Sequence, residues 1–523
     1  MDIVVNNIKM PIEATKESVY EAALSVVRLH SLKADNPVIY RKSIDARRKN
    51  VSYVYSVKMH LLSDPDSLPE NSDIRILKEE KVDIKKDKNI SSPVIVGSGP
   101  CGLFAAYVLS TAGYKPVIIE RGQCVENRTK TVEEFFKTGK LNTSSNVQFG
   151  EGGAGTFSDG KLNTRIGDPL ERFVLNTFVK FGASEDILID AKPHIGTDVL
   201  KKVLVNMRAY IENNGGKYLF DSTVTDIVIK NNCVKGVVIN NNRELECENL
   251  ILAIGHSSRD TYEMLYKKGL MMEQKAFAAG VRIEHKQKFI NELQYGKGYE
   301  KYNLPASPYR VVYNGNERSC YSFCMCPGGY VVNASSEEGS LAVNGMSNAA
   351  RDAENANSAL VVNVKPCDFD GTSPLAGVEF QRKYERLAYE ISGGYKAPVQ
   401  LSEDFIKGKV SEKFKEVKPS FTGDVVFADL RRCLPEFITD TLKEALINFE
   451  NKMKGFVSSG SVLTGIETRT SAPLRILRGE NGQALNVCGL YPAGEGAGYA
   501  GGIMSAAIDG IKTAQKLVDC FVY

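Results

Sequence analysis

The stretch from Pro93 to Glu120 constrains the fold more than any other part of this chain. Pro93-Val94-Ile95-Val96 is a short apolar run, suited to a strand buried on both faces. Gly97-Ser98-Gly99-Pro100-Cys101-Gly102 follows at once, and Leu103 to Thr111 is apolar enough for a buried helix. Ala112-Gly113 ends that helix, Pro116-Val117-Ile118-Ile119 forms a second strand, and Glu120 and Arg121 close it. G-x-G-x-x-G thus stands in the order strand, turn, helix, strand, acid. Gly97 permits the tight turn, Gly99 lets the backbone approach a pyrophosphate, and Gly102 lets the helix pack close to the sheet. The helix begins at Pro100 and Cys101, where free N–H groups and a partial positive charge face the phosphates. Glu120 lies about 20 residues further on, placed to accept hydrogen bonds from ribose hydroxyls.

The rest of the chain is larger than one such unit. Its 523 residues suggest roughly three domains. Residues 1–85 read as a small β-α-β-β module of ferredoxin-like type. Its strands are Ile3–Ile12, Val38–Ile44 and Val51–Leu62, its helix is Lys16–Leu29, and the charged stretch Lys78–Lys88 serves as a linker. The segment Arg41–Lys49 is basic and reads as a solvated turn, with an anionic-partner patch as the other option. Global charge argues for neither nucleic acid nor a membrane surface, since 66 Lys and Arg face 63 Asp and Glu. No apolar run approaches the ~20 residues of a membrane span, and the first residues lack a secretory pattern. Eleven scattered cysteines read as reduced cytosolic thiols, which implies the cytoplasm.

Two further segments bear on the cofactor. Thr223–Ile229, Val234–Ile239 and Leu245–Ile254, broken at Asn231-Asn232 and Asn240-Asn241-Asn242, read as a hairpin excursion that ends in Ala253-Ile254-Gly255. This resembles the β-meander of FAD-binding proteins of the glutathione-reductase superfamily, with Val224 at its start and Ala253 and Gly255 at its close. Near the C-terminus, Ala493-Gly494-Glu495 and Gly501-Gly502-Ile503 precede a helix running to Val518. In that superfamily such an element binds the ribityl chain, here through Glu495, and points its helix at the flavin. The resemblance implies FAD.

Five strings carry a wider resemblance: Gly150–Leu162, Phe277–His285, Tyr321–Val331, Thr464–Ile476 and the Gly494 segment. Together they resemble a family of bacterial FAD-dependent dehydrogenases whose substrate is unassigned. The resemblance implies an α/β fold. A Rossmann-like FAD-binding domain with a β-meander would occupy 90–270 and return over 466–523. An α+β substrate or cap domain would be inserted at 271–465. The glycine-rich loop, with Gly152, Gly153 and Thr156, would line the flavin.

Catalytic candidates are less defined. Lys161 ends the glycine loop and suits either the flavin N5 region or a substrate carboxylate. His256 follows a turn at a strand's C-terminal end, where ligands gather in α/β sheets. Cys326 follows Cys324 in a C-x-C that fits neither a zinc ribbon nor a thioredoxin motif, so no metal site is expected. Arg469 and Arg475, with Arg351, are the cations a carboxylate clamp would use. Arg282 and Glu284 share a strand face, and Glu467, Tyr321 and His256 could accept a proton. No second strand–GxGxxG–helix unit exists, so NAD(P)H is left open only as a donor held in some other way. The leading reading is hydride transfer between FAD and a small organic substrate, an anionic one included. A tRNA-modifying flavoprotein and a flavin-bound sensor using residues 1–85 as a partner-binding module are the alternatives. Nothing in the sequence fixes the oligomeric state.

Overall fold

The computed structural model describes residues 1–47, 51–62, 73–77, 82, 92–163 and 167–519. At its centre is a five-stranded parallel sheet, ordered Leu490–Pro492, Leu250–Leu252, Val94–Val96, Val117–Ile119, Lys217–Leu219. Val94–Val96 is therefore the middle strand, and the Gly97 turn leaves the sheet at its carboxyl edge. The helix Pro100–Thr111 follows, buried over most of its surface, and packs on the C-terminal helix Ile503–Asp519. Glycine sets that contact. A Cβ on Gly510 would lie 2.1 Å from the Cys101 carbonyl oxygen, so the helices meet backbone to backbone. The two helices start beside the same side of the sheet although about 400 residues separate them.

The strands Val224–Lys230, Cys233–Ile239 and Arg243–Glu246 form a three-stranded antiparallel meander. Its turns hold Asn231, Asn232, Asn240 and Asn241 at positive φ, the left-handed conformation that asparagine tolerates best among residues with side chains. Here the reading of the cysteines as uniformly reduced is corrected. Cys233 and Cys488, 255 residues apart in sequence, form a disulfide. Backbone bonds bring them together: Val234 N–H donates to the Cys488 carbonyl at 3.0 Å and Cys488 N–H to that of Asn232 at 2.8 Å. No sequence spacing announces such a pair.

Between Phe277 and Glu467 the chain builds a seven-stranded sheet. Its order is Val312–Asn314, Ser319–Cys326, Asn355–Val364, Phe277–Lys286, Val462–Glu467, Ala397–Leu401, Val425–Phe427. The central strands Phe277–Lys286 and Asn355–Val364 are buried nearly throughout, and the helix Glu436–Lys452 supplies Ile438, Leu442, Leu446 and Phe449 to the same core. The chain then returns through Leu474–Ile476, which pairs with Met272–Gln274. Phe277–Lys286 carries a correction. Arg282 does not pair with Glu284: its guanidinium meets Glu467 on the neighbouring strand, at 2.6 and 3.2 Å, while Glu284 accepts from Ser420 and Asn355.

The N-terminal residues form a separate four-stranded antiparallel sheet, ordered Ala34–Asp45, Ser52–Leu61, Asp2–Pro11, Ile74–Ile76. The helix Lys16–Leu29 lays Val19, Ala23 and Val27 against it. The basic segment is not a turn as far as Asp45; Arg41–Asp45 belongs to a strand that docks on the rest of the chain. Lys42 N–H donates to the Ile189 carbonyl at 2.7 Å, and Ala191 N–H to that of Lys42 at 2.9 Å. The expected linker Lys78–Lys88 lies outside the described residues except for Val82, which packs on the main core. Among the described residues no helix is long and apolar enough to cross a membrane.

The Gly510 contact gives a direct test. Gly510→Ala forces a methyl into the Cys101 backbone, and overpacking of this kind costs about 1–3 kcal/mol. We expect a lower thermal midpoint, together with weakened flavin retention on gel filtration, because both helix starts move.

Candidate functional site

One cavity of 1180 Å³ runs from the glycine turn to the seven-stranded sheet. That exceeds the ~300–1,000 Å³ of ordinary small-ligand pockets and leaves room for a dinucleotide with a substrate beside it. At one end lie Gly97, Gly99, Pro100, Cys101, Glu120, Arg121, Val224 and Ala253. The middle is lined by Gly153, Lys161, Gly255, His256, Glu495, Gly501, Gly502 and Ile503. Arg469 borders it there, and Arg310, Tyr321 and Cys324 bring it to the sheet.

The glycine end has the shape a bound dinucleotide requires. Gly97 sits at φ +97° with the Ala253 carbonyl oxygen 2.3 Å from where a Cβ would be. A Cβ on Gly102 would be 2.0 Å from the Gly97 carbonyl oxygen. Gly99, by contrast, has nothing nearer than Gly153 Cα at 3.8 Å, and Gly501 and Gly502 have nothing within 4 Å. The backbone at these three positions therefore fronts open cavity. Gly99 caps the helix Pro100–Thr111 with no side-chain acceptor, so its first N–H groups remain available to phosphate oxygens. A second helix starts at Ile503 in the same cavity wall. Buried polar atoms aimed at this space also lack partners: Gln148 Nε2 and His256 Nε2 make no hydrogen bond in the protein. The residues present fit FAD.

Glu120 plays a part that the fingerprint alone does not reveal. Its Oε2 accepts from Ser98 N–H at 2.9 Å and Ser98 Oγ at 2.8 Å, and its Oε1 from Gly122 and Gly150 N–H, both at 3.0 Å. A carboxylate offers about four acceptor sites, so this one clasps the fingerprint turn to the glycine loop and is satisfied within the protein. Arg128 anchors the other side of the loop. It is fully buried and donates to the carbonyls of Asn146, Val147, Glu151 and Gly153 at 2.6–3.0 Å.

Four of the expected cofactor residues lie outside the lining. Gly102 packs helix on turn. Gly152, at φ +82°, has Thr156 Oγ1 2.2 Å from its would-be Cβ, and Thr156 is fully buried, donating to the Glu151 carbonyl. These two shape the loop from beneath. Gly494 donates its N–H to Asp509 at 2.7 Å and packs against Cys101.

Two of the expected catalytic residues are likewise displaced. Arg475 lies outside the cavity. Leu474 and Ile476 face the core, so alternation turns Arg475 outward, where it is 39% exposed and paired with Glu273 at 3.2 Å. Cys326 is fully buried and does not line the cavity; Cys324 does. The other three expected catalytic residues, His256, Lys161 and Arg469, meet in the cavity wall.

Their chemistry differs. Lys161 Nζ is 3.2 Å from Asp159, which Arg351 also engages, at 2.9 Å through Nε. Two cations thus share one carboxylate. Burial works against the charged lysine, but the neighbouring sulfurs of Cys326 and Cys324 and the Asp159 carboxylate hold it charged. His256 is held neutral: burial, with Arg469 and Arg259 nearby, pushes its pKa down to about 3. Burial pushes the Glu495 carboxyl up to about 7, against the pull of Lys275. Glu495 and His256 Nδ1 are 3.8 Å apart, too far for a hydrogen bond.

Arg469 is not a free clamp. Its Nε and Nη2 reach Glu385 at 3.0 and 2.7 Å. Arg259 grips the same carboxylate at 2.7 and 2.9 Å and also reaches Gln381 and Glu337. Despite full burial, these two guanidiniums keep Glu385 well below the usual carboxylate range. Arg259 starts the helix after the Gly255 turn, Glu385 lies on the helix Ala376–Ser392, and Arg469 follows Val462–Glu467. The ion cluster therefore ties the parallel sheet to the seven-stranded one beside the cavity. No local motif marks it, since Arg259, Glu385 and Arg469 lie over 80 residues apart in sequence.

Residues 276–470 match a family model described as FAD-dependent protein, C-terminal domain-like. Residues 95–143 match an NAD(P)-binding Rossmann-like domain, residues 193–303 match glucose inhibited division protein A, and residues 2–60 match a domain of unknown function. The chain is 49% identical over 530 residues to an uncharacterized protein of Clostridium beijerinckii, covering 100% of this chain and 99% of the relative. It belongs to this family of FAD-dependent proteins, and FAD is its cofactor. Glycine oxidase from Bacillus cereus is similar at 11% identity and a TM-score of 0.35, over 82% of this chain and 97% of that one. Glycerol-3-phosphate dehydrogenase from Bacillus halodurans, complexed with FAD, is similar at 9% identity and a TM-score of 0.35, over 83% and 65%.

Breaking the ion cluster tests its role. Glu385→Gln leaves Arg469 without its anion and Arg259 with Glu337 alone, and breaking a buried pair in this way costs about 3–5 kcal/mol. The denaturant midpoint should fall sharply, whereas the exposed pair Arg475–Glu273 should be removable with less than about 1 kcal/mol of change.

Proposed function

We propose that this protein is an FAD-dependent oxidoreductase that moves a hydride between its flavin and a small organic substrate. The substrate would sit between the glycine loop and the seven-stranded sheet. The observation that carries this reading is the continuity of the cavity: the space that fits the cofactor runs without a break to Tyr321 and Phe323 on the sheet and to Arg310 beside it. FAD, when bound, supplies two-electron hydride chemistry.

The chain's own residues supply binding and proton handling. An anionic group on the substrate would meet Lys161 in the depth of the cavity and Arg310 at its exposed end. Lys161 stays charged beside Asp159, and its Nζ has hydrogen-bond donors to offer an anion. Glu495 holds or releases a proton in the neutral range, which suits an acid–base partner to hydride transfer. Substrate oxidation needs a proton acceptor, so it would be favoured once Glu495 is ionised. His256 stays neutral, and its unpartnered Nε2 orients a polar group without competing for the anion site. Arg469, held by Glu385 and behind it Arg259, fixes the cavity wall beside the reacting centre.

Anaerobic addition of small 2-hydroxy, 2-amino and other carboxylates to the purified protein tests this reading. A substrate of this class bleaches the flavin band near ~450 nm. We expect Lys161→Met to lower kcat/KM for that substrate about 10- to 100-fold, the worth of one charge-assisted hydrogen bond. In wild type the oxidation rate should rise through a limb centred near pH 7, the value to which Glu495 is pushed. Glu495→Gln should abolish that limb and slow the step by about 10²–10⁴. A limb unchanged in that variant, or a flavin bleached by no carboxylate, would count against the assignment.

A further inference from the structure

The strand Ser319–Cys326 pairs regularly with Asn355–Val364 up to Phe323, then bulges before Cys326. In the regular part, side chains two apart share a face, and register partners on neighbouring strands share it too. One face is core: Cys320, Leu360 and Val362 pack with the helix Glu436–Lys452. The other face carries Ser319, Tyr321 and Phe323, and all three line the cavity. Val361 lies opposite Tyr321 and Ala359 opposite Phe323, and Gly280 and Ala278 continue this face on the next strand. Their side chains are short, and Tyr321 packs on Ala278, Ala359 and Val361. The face is therefore a low apolar ledge that carries two aromatic rings. Phe323 stays 36% exposed, and among the described residues it is the only exposed large apolar side chain in the cavity lining. Single exposed apolar groups are ordinary on an outer surface, but aromatic rings inside a cavity are binding surface.

Charge and polarity bound the ledge. Val312 lies opposite Tyr321, and Ser322 N–H donates to the Val311 carbonyl at 3.0 Å, so the antiparallel register stands Arg310 alongside Phe323. Arg310 lines the cavity, is exposed, and has no ion-pair or hydrogen-bond partner among the described residues. Past the bulge, Cys324 and Lys161 continue the wall. Lys161 Nζ is buried, and apart from its ion pair with Asp159 it makes no hydrogen bond in the protein. Glu467, the register partner of Gly280, is held by Arg282 at 2.6 and 3.2 Å, so its carboxylate is already matched by a cation. At the other end of the strand the face turns polar, with Asn314, Ser319 and Asn363 in the lining. From Phe323 to Ser319 is about 13 Å along a strand.

We propose that the substrate is an aromatic carboxylic acid, its ring lying on the ledge of Tyr321 and Phe323 and its carboxylate turned inward to Lys161. The proposal rests on the hydride-transfer reading above and names the substrate class that the same cavity selects. The ring meets Phe323 offset or edge to face, the arrangements that aromatic pairs favour. Arg310 closes over its outer side, where a guanidinium is attracted to a ring face. The length of the ledge takes one or two rings. A hydroxyl or N–H at the far edge of the ring finds partners in Asn314, Ser319 and Asn363. The carboxylate end reaches the part of the cavity where Lys161, His256 and Glu495 stand. An aliphatic acid satisfies Lys161 equally well but leaves the ledge wet, so the rings discriminate between the two classes.

The test uses the full-length, flavin-loaded protein and pairs of acids that differ only in the ring. Calorimetry first compares 3-phenylpropionate with propionate, which carry no 2-hydroxyl or 2-amino group to oxidise. We expect the aromatic acid to bind about 10- to 100-fold more tightly, the worth of burying one ring. Phe323→Ala should cut that ratio about tenfold, and Phe323→Tyr should keep most of it. Phe323 is exposed, so neither variant opens the core, and an unchanged thermal midpoint checks this. Phenylpropionate binding no tighter than propionate overturns the proposal, as does a ratio unchanged in folded Phe323→Ala. Anaerobic bleaching of the flavin by 3-phenyllactate and by lactate then separates the proposal from the reading beneath it. A kcat/KM about 10- to 100-fold higher for phenyllactate supports both. Equal values overturn the aromatic class and leave hydride transfer standing. Tight binding of phenylpropionate with no bleaching by any aromatic 2-hydroxy or 2-amino acid overturns the hydride-transfer reading, while the ring site stands.

Discussion

The contact between Gly510 and the Cys101 backbone is the constraint on which the site depends. It lets the helix Ile503–Asp519 lie directly on Pro100–Thr111, so two helix starts border one cavity. Each start carries N–H groups without helical partners and a partial positive charge. One starts beside Gly99, where it would meet the phosphates of a bound dinucleotide, and the other lies with Gly501 and Gly502 at the middle of the cavity. The chain's first α/β unit and its last helix are thus a single binding device, and the long stretch between them is free to build a second sheet.

Buried charge joins that second sheet to the first. Glu385 between Arg259 and Arg469 spans the two sheets, and Glu467 against Arg282 joins neighbouring strands within the second; both are almost wholly removed from water. Such pairs contribute little net stability, but losing one partner is costly, so the Glu385 cluster favours one arrangement of the two sheets. The glycine loop, the strand Ser319–Cys326 and the turn after Leu490–Pro492 place Lys161, Cys324 and Glu495 around one space. Rigidity here has a chemical consequence: groups whose charge depends on their surroundings keep those surroundings only while the wall holds.

Much of the nucleotide end was legible in the sequence, because its physics is local. Gly97, Gly99 and Gly102 do adjacent jobs in one turn, and the Asn231-Asn232 and Asn240-Asn241 turns marked the meander hairpins through their tolerance of positive φ. The substrate end was less legible because its geometry comes from distant strands. Arg475 looked equivalent to Arg469 until Leu474 and Ile476 fixed which face was buried. Cys326 looked the better placed thiol until the bulge turned Cys324 to the cavity instead. Glu120 was recognised by position, but the four hydrogen bonds that occupy it within the protein belong to a loop about 30 residues later. The partners of Arg259 and Cys233 could not be read from spacing at all.

The central claim is that the cavity holds one FAD whose electrons the surrounding residues govern. The direct measurement is to purify the protein, record its absorbance, denature it and identify the released chromophore against protein concentration. This account predicts one FAD per chain, with bands near ~370 and ~450 nm in the folded protein. A protein that carries no flavin and takes up none when incubated with FAD would contradict it.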